Sequence, residues 1–129
     1  MNTINDNHKN LTVLITTHYT PRQCICLDNT LKYLLKHFGE GEKYEILICN
    51  DSYNKSKDDI KKSEEILLSL ISKYKFSWYH GKREFKFNDE IYKFKTVGCN
   101  ILDLITKCNT DYFLFLEHDW IFTKKINVN

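Results

Sequence analysis

The sequence contains no alanine, a single proline and four glycines. That scarcity excludes collagen-like and proline-rich architectures. The missing alanine removes the strongest helix former, so Leu and Lys must carry helix propensity. The crowding of Lys, Asn and Ile fits AT-rich codons. Long apolar runs are missing too: none approaches the roughly 20 residues of a membrane-spanning helix. The first ten residues are polar, without the apolar stretch of a signal peptide. The chain reads as cytoplasmic, with no membrane span. Charge of one sign is also lacking. Nineteen Lys and Arg against seventeen Asp and Glu leave +2, not the field of a dedicated nucleic-acid binder. The five cysteines, Cys24, Cys26, Cys49, Cys99 and Cys108, form no C-x-x-C pair. An odd number without ligand spacing reads as reduced thiols used as small core residues. Gly-rich phosphate fingerprints of the Rossmann or P-loop kind are absent.

What is present is enough for one core. The chain has 129 residues, of which 42% are hydrophobic, and this composition excludes intrinsic disorder and suits a single domain over residues 1–129. Leu11 to Thr16 (LTVLIT) and Tyr44 to Cys49 (YEILIC) are short β-branched runs, as strands buried on both faces would be. Between them Leu27, Leu31, Leu34, Leu35 and Phe38 recur at helical spacing, with Gly39 and Gly41 as stop signals. Ile60, Leu67, Leu70, Ile71 and Tyr74 predict a second helix, and Phe76 to His80 a short aromatic strand. Gly81 to Glu90 is charged and aperiodic and reads as a loop. Val97, Ile101, Leu104, Ile105 and Cys108 predict a third helix, followed by the strand Tyr112 to Leu116 (YFLFL). Strands alternating with helices predict an α/β fold with a mostly parallel sheet, a Rossmann-like three-layer α/β/α sandwich.

Ligands of open α/β sheets bind beyond the carboxyl ends of the strands. The residues in question are Thr17 to Arg22 after the first strand, Asn50 to Ser52 after the second, and Glu117, His118 and Asp119 after the last. Glu117 and Asp119 leave the strand two residues apart and so point the same way. Their hard carboxylate oxygens suit Mg²⁺ or Mn²⁺ bridging to a diphosphate. Each cluster has a plainer reading. Two acids around a histidine also make an ordinary solvated turn, and Asp51 also serves as a turn-former or helix cap. His118, without a second histidine at ligand spacing, reads as a bystander.

Taken in order, "LTVLITTHYTPRQ", "YEILICNDS" and "VGCNILDLITKCNTDYFLFLEHDW" resemble the first half of a family 2-like glycosyltransferase with the GT-A fold. The resemblance covers about residues 11 to 122. It implies a glycosyltransferase that binds a nucleoside-diphosphate sugar, first of all a UDP-sugar, with Mn²⁺ or Mg²⁺, and transfers the sugar to an acceptor hydroxyl. It implies a nucleobase pocket lined by Thr17, His18 and the residues up to Arg22, with Asp51 accepting a hydrogen bond from the base. Asn100 would lie near the nucleotide, Glu117 would hold the ribose, and Asp119, with Glu117, the metal. Glu117 stands where the family usually has Asp, and Cys99 where a basic residue often precedes the Asn. The family's acceptor half and catalytic carboxylate would follow Asp119, and no catalytic base is identifiable in this sequence. The alternative is a catalytically inactive nucleotide-binding or assembly module of the same fold. A nucleotidyltransferase is a third candidate, disfavoured because no Gly-rich loop with a downstream Arg or Lys follows the first strand. The expectation is that these 129 residues alone transfer no sugar at a useful rate, and that YFLFL promotes self-association or recruits a partner chain. A radiolabelled-donor assay run beside size-exclusion chromatography tests both, and robust transfer by a monomer would overturn them.

Overall fold

The computed structural model describes residues 9–39, 43–121 and Thr123. Its elements, in chain order, are β1 (Leu11–His18), α1 (Gln23–Phe38), β2 (Tyr44–Asp51), α2 (Lys57–Ile71), β3 (Ser77–Gly81), β4 (Glu84–Phe87), β5 (Glu90–Lys93), α3 (Gly98–Lys107) and β6 (Tyr112–Glu117). The architecture is α/β. A parallel four-stranded sheet has the order β3-β2-β1-β6, and β4 and β5 form a separate two-stranded sheet. Strands β1 and β2 run in register from Leu11 opposite Tyr44 to His18 opposite Asp51. On the other side of β1, Thr16 lies opposite Glu117. Among the described residues, no helix is long and apolar enough to cross a membrane.

Alternation along the strands sorts the core into two clusters. Val13, Ile15, Ile46 and Ile48 pack with Leu27, Leu31 and Leu34 of α1 and Leu67 and Leu70 of α2. Leu14 and Cys49 pack instead with Leu104 of α3, joined by Leu47, Ile105 and Phe115. Both sets of strand side chains are covered, so consecutive residues of the central strands, Val13 to Ile15 and Ile46 to Cys49, are apolar rather than alternately polar. Burial pushes the Cys49 thiol up to about 12, which leaves it inert packing material. Cys99 is buried as well, whereas Cys24 is exposed on α1.

The helix ends follow local chemistry. Ser56 caps α2 by accepting a hydrogen bond from the Asp59 backbone N–H at 3.1 Å, and Asp58 and Asp59 sit in the first turn, where the helix dipole favours acids. Helix α1 closes on Gly39, whose φ of +86° suits a residue without a Cβ.

The segment expected to be a loop, Gly81 to Glu90, is a correction. It carries all of β4 and leads into β5 through a two-residue turn, with Phe87 paired to Glu90. Asn88 and Asp89 both have positive φ, the conformation of a type I′ hairpin turn that Asn and Asp tolerate. Phe85 stacks on Tyr92 at 5.1 Å across the pair.

Leu31 is fully buried in the α1 face while Ile25, on the same helix, is 64% exposed. Leu31→Ala should cost about 2–5 kcal/mol in urea unfolding, and Ile25→Ala about 0.5 kcal/mol or less. Equal losses at the two positions would contradict this packing.

Candidate functional site

Strand order places a topological switch point between β1 and β6: the chain moves from β1 to β2 and β3 on one side, while β6 lies on the other. Connections leaving neighbouring strands in opposite directions open a crevice at the carboxyl ends. A cavity of about 360 Å³ sits there, lined by Thr16, Thr17, His18, Asp51, Lys55, Arg83, Val97, Ile101, Glu117, His118 and Asp119. Of the seven residues to which the resemblance gives a binding role by number, five, Thr17, His18, Asp51, Glu117 and Asp119, meet on one cavity from three strand ends. Arg22 and Asn100 do not line it. Arg22 is exposed at the start of α1. Asn100 is buried, and its Oδ1 accepts the backbone N–H of Arg83 at 2.9 Å.

Arg83 is the main group missed by sequence reading, because it sits in the segment taken for a loop. Its Nη2 donates to Asp51 Oδ2 at 2.9 Å, and its Nη1 donates to the Lys95 carbonyl. The guanidinium also lies over the Tyr53 ring, 4.7 Å from its centroid. Asp51 Oδ1 accepts the Tyr53 backbone N–H at 3.2 Å, so both carboxylate oxygens are engaged. Gly81 makes this approach possible. A Cβ there would lie 2.4 Å from Cys49 Sγ and 2.8 Å from Asn100 Oδ1, within the core and against the amide that holds Arg83. With Lys55, Arg83 brings positive charge to the wall facing the acids.

His118, expected to be a bystander, lies in the cavity wall and in the hydrogen bonding behind it. It is 8% exposed, and its Nδ1 is 2.7 Å from Thr17 Oγ1. Its ring stacks on His18 with centroids 4.9 Å apart, and its carbonyl accepts the Thr30 hydroxyl at 2.6 Å. Behind it a polar chain runs into the core. The Gln23 side-chain amide lies 3.0 Å from Thr17 Oγ1 and 3.0 Å from Ser63 Oγ. Ser63 is 2.9 Å from the Asn50 side chain. Beyond it, His80 Nδ1 is 3.5 Å from Asn50 Nδ2 and 2.7 Å from Ser52 Oγ, and His80 Nε2 faces Glu64 at 3.3 Å. Sequence patterning could not find this chain, since its members lie up to 101 residues apart.

Glu117 ends β6 and a tight turn follows, closed by the Trp120 N–H on the Glu117 carbonyl at 3.2 Å. The turn buries His118 and leaves Glu117 and Asp119 exposed on the cavity rim. Two carboxylates supply hard oxygen donors that fit Mg²⁺ or Mn²⁺, an ion that usually completes its shell with waters and ligand phosphates. Among the described residues, no group of three or more His, Cys, Asp and Glu could hold a metal by itself. No protein-family profile matches the chain, and no curated protein matches it.

Burial pulls the pKa values of both imidazoles below the ordinary histidine value. For His18, Lys55 adds to the effect while Asp51, Asp119 and Glu117 oppose it. For His118, the neighbouring His18 adds to it and Asp119 opposes it. The unfolded chain therefore binds more protons than the folded one between these lowered values and about 6.5. This contribution to stability is complete above that range and is lost as pH falls through it. Thermal scans should show Tm declining from about pH 7.5 to about pH 5.5, and less steeply in His118→Gln. A wild-type Tm that rises on acidification would contradict this assignment.

Proposed function

We propose that the cavity at the β1/β6 switch point binds a nucleoside diphosphate sugar together with Mn²⁺ or Mg²⁺, within a three-layer α/β/α sandwich of the GT-A type. The observation that carries the reading is the meeting of Thr17, His18, Asp51, Glu117 and Asp119 on one cavity. The charge pattern agrees with a bound diphosphate: acids on the β6 rim would need a divalent ion between themselves and phosphate, while Lys55 and Arg83 supply cations opposite. In this reading the base and ribose lie along Thr17, His18 and Asp51, and a metal would be held by Glu117 and Asp119. Asn100 acts indirectly, by holding the backbone of Arg83. In glycosyl transfer the acceptor oxygen would bond to the anomeric carbon as the bond to the diphosphate oxygen breaks, its hydroxyl proton passing to a general base that this reading assigns to none of the cavity residues. A divalent ion held by Glu117 and Asp119 would supply Lewis-acid stabilisation of the leaving diphosphate, and Lys55 and Arg83, which line the same cavity, would add positive charge.

A second reading, a nucleotide-binding or assembly module without turnover, is favoured by the state of Asp51. With one oxygen on Arg83 and the other on Tyr53 N–H, that carboxylate is committed to structure rather than to accepting a proton. Donor turnover measured beside binding separates the two readings.

Calorimetry with uridine diphosphate should show tighter binding in Mn²⁺ than in EDTA. Asp119→Ala should remove that metal-dependent gain and leave folding intact, because the residue is exposed. Asp51→Ala should weaken binding with or without metal. Equal affinity in Mn²⁺ and EDTA would remove the metal assignment, and no binding in either would remove the nucleotide reading.

A further inference from the structure

Thr17, Gln23, Asn50, Ser63 and His118 are each more than nine-tenths buried and are joined in one hydrogen-bonded line that ends on the His80–Glu64 pair. Each member has a fixed supply of protons, so the line can be read from its outer end. A carboxylate only accepts, so the ion-pair contact of 3.3 Å between Glu64 Oε1 and His80 Nε2 favours the tautomer of neutral His80 with its proton on Nε2. Its Nδ1 is then a lone pair, which takes the Ser52 hydroxyl proton at 2.7 Å in preference to the Asn50 backbone carbonyl at 3.3 Å, and which faces the Asn50 amide nitrogen at 3.5 Å. Asn50 Oδ1 consequently faces Ser63 and takes its hydroxyl proton at 2.9 Å.

Ser63 has only that one proton. Its oxygen must therefore receive from Gln23, which turns the amide nitrogen of Gln23 toward Ser63 and the amide oxygen toward Thr17. The two ends of a side-chain amide occupy equivalent positions, and the partners decide between them. The opposite orientation, with Gln23 Nε2 placed on Thr17 and Oε1 on Ser63, leaves Ser63 with two oxygen acceptors and one proton, so the amide is turned over. Thr17 then donates to Gln23 and accepts from His118 Nδ1–H at 2.7 Å. His118 Nε2, without a hydrogen-bond partner among the described residues, is left with its lone pair in a residue that lines the cavity.

We infer that Glu64, on α2, sets the tautomer of His118 through this line, so that His118 presents a bare Nε2 to the cavity. Such a nitrogen accepts a hydrogen bond from a ligand hydroxyl or binds a cation, and it cannot donate to a phosphate oxygen. Anionic groups are left to Lys55 and Arg83. The inference concerns His118 whichever ligand occupies the cavity, so it stands or falls separately from the nucleotide reading.

Long-range ¹H–¹⁵N NMR on the full chain, at about pH 8 where ordinary histidines are neutral, reads the tautomer directly. In wild type, His118 should show a protonated Nδ1 and an unprotonated Nε2. Glu64 is a partly exposed surface residue, with 43% of its side chain accessible, so Glu64→Leu should fold normally. In that variant, and in Ser63→Ala, the two ring-nitrogen resonances of His118 should move toward each other as the preference is lost. A wild-type His118 protonated at Nε2 overturns the inference. So does an unchanged tautomer ratio in Glu64→Leu or in folded Ser63→Ala.

Discussion

The constraint on which the rest depends is the burial of hydrogen-bonding side chains where the parallel strands end. A buried donor or acceptor left without a partner costs about 1–3 kcal/mol, whereas a satisfied network can hold its members in one arrangement. Here Gln23, at the first turn of α1, touches both Thr17 of β1 and Ser63 of α2. Ser63 in turn touches Asn50 of β2. The start of one helix, the middle of another and two strand ends are thereby held in register by side chains that water does not reach. His118, following β6, joins the same line, so both strands that flank the switch point are tied to it. Behind this part of the cavity wall the buried side chains are polar and hydrogen-bonded to one another.

The opposite wall is built differently. It depends on a surface hairpin that contributes little to the main core. Arg83, two residues beyond β3, is held by its backbone on Asn100 and by its guanidinium on Asp51 and Lys95. Breaking a partly buried ion pair strands the other charge, so Arg83 and Asp51 are mutually dependent. The close approach of Gly81 to Cys49 and Asn100 makes this wall intolerant of any larger residue at that position. The cavity is thus lined by Lys55, by the Arg83–Asp51 pair and by the exposed acids Glu117 and Asp119.

Most of the fold was legible because each main element has a strong local pattern. LTVLIT and YEILIC are dominated by apolar residues, and Leu27, Leu31 and Leu34 mark one helical face; Val13, Leu14, Ile15, Ile46, Ile48 and the three helix leucines are buried in the expected elements. The hairpin was missed because its strands are four residues long and mix charge with aromatics, and its turn is Asn88-Asp89 without glycine. The site was legible where it follows directly from strand ends, as at Thr17, Asp51, Glu117 and Asp119. It was not legible at Arg83, whose place depends on that hairpin, nor at His118, whose partner Thr17 is distant in sequence. Asn100 and Arg22 show the opposite limit. Their order in the chain matches the resemblance, while their positions put one behind the cavity wall and the other outside it.

The proposed nucleotide and metal would both lie at the switch point. Paramagnetic Mn²⁺ added with uridine diphosphate to ¹⁵N-labelled protein locates both at once. Selective broadening is expected for the backbone amides of Thr17, His18, Asp51 and Glu117 to Asp119, with Lys9, Lys75 and Ser77 at the opposite end of the sheet unaffected. Broadening centred on that opposite end, or none at the switch point, would contradict this placement.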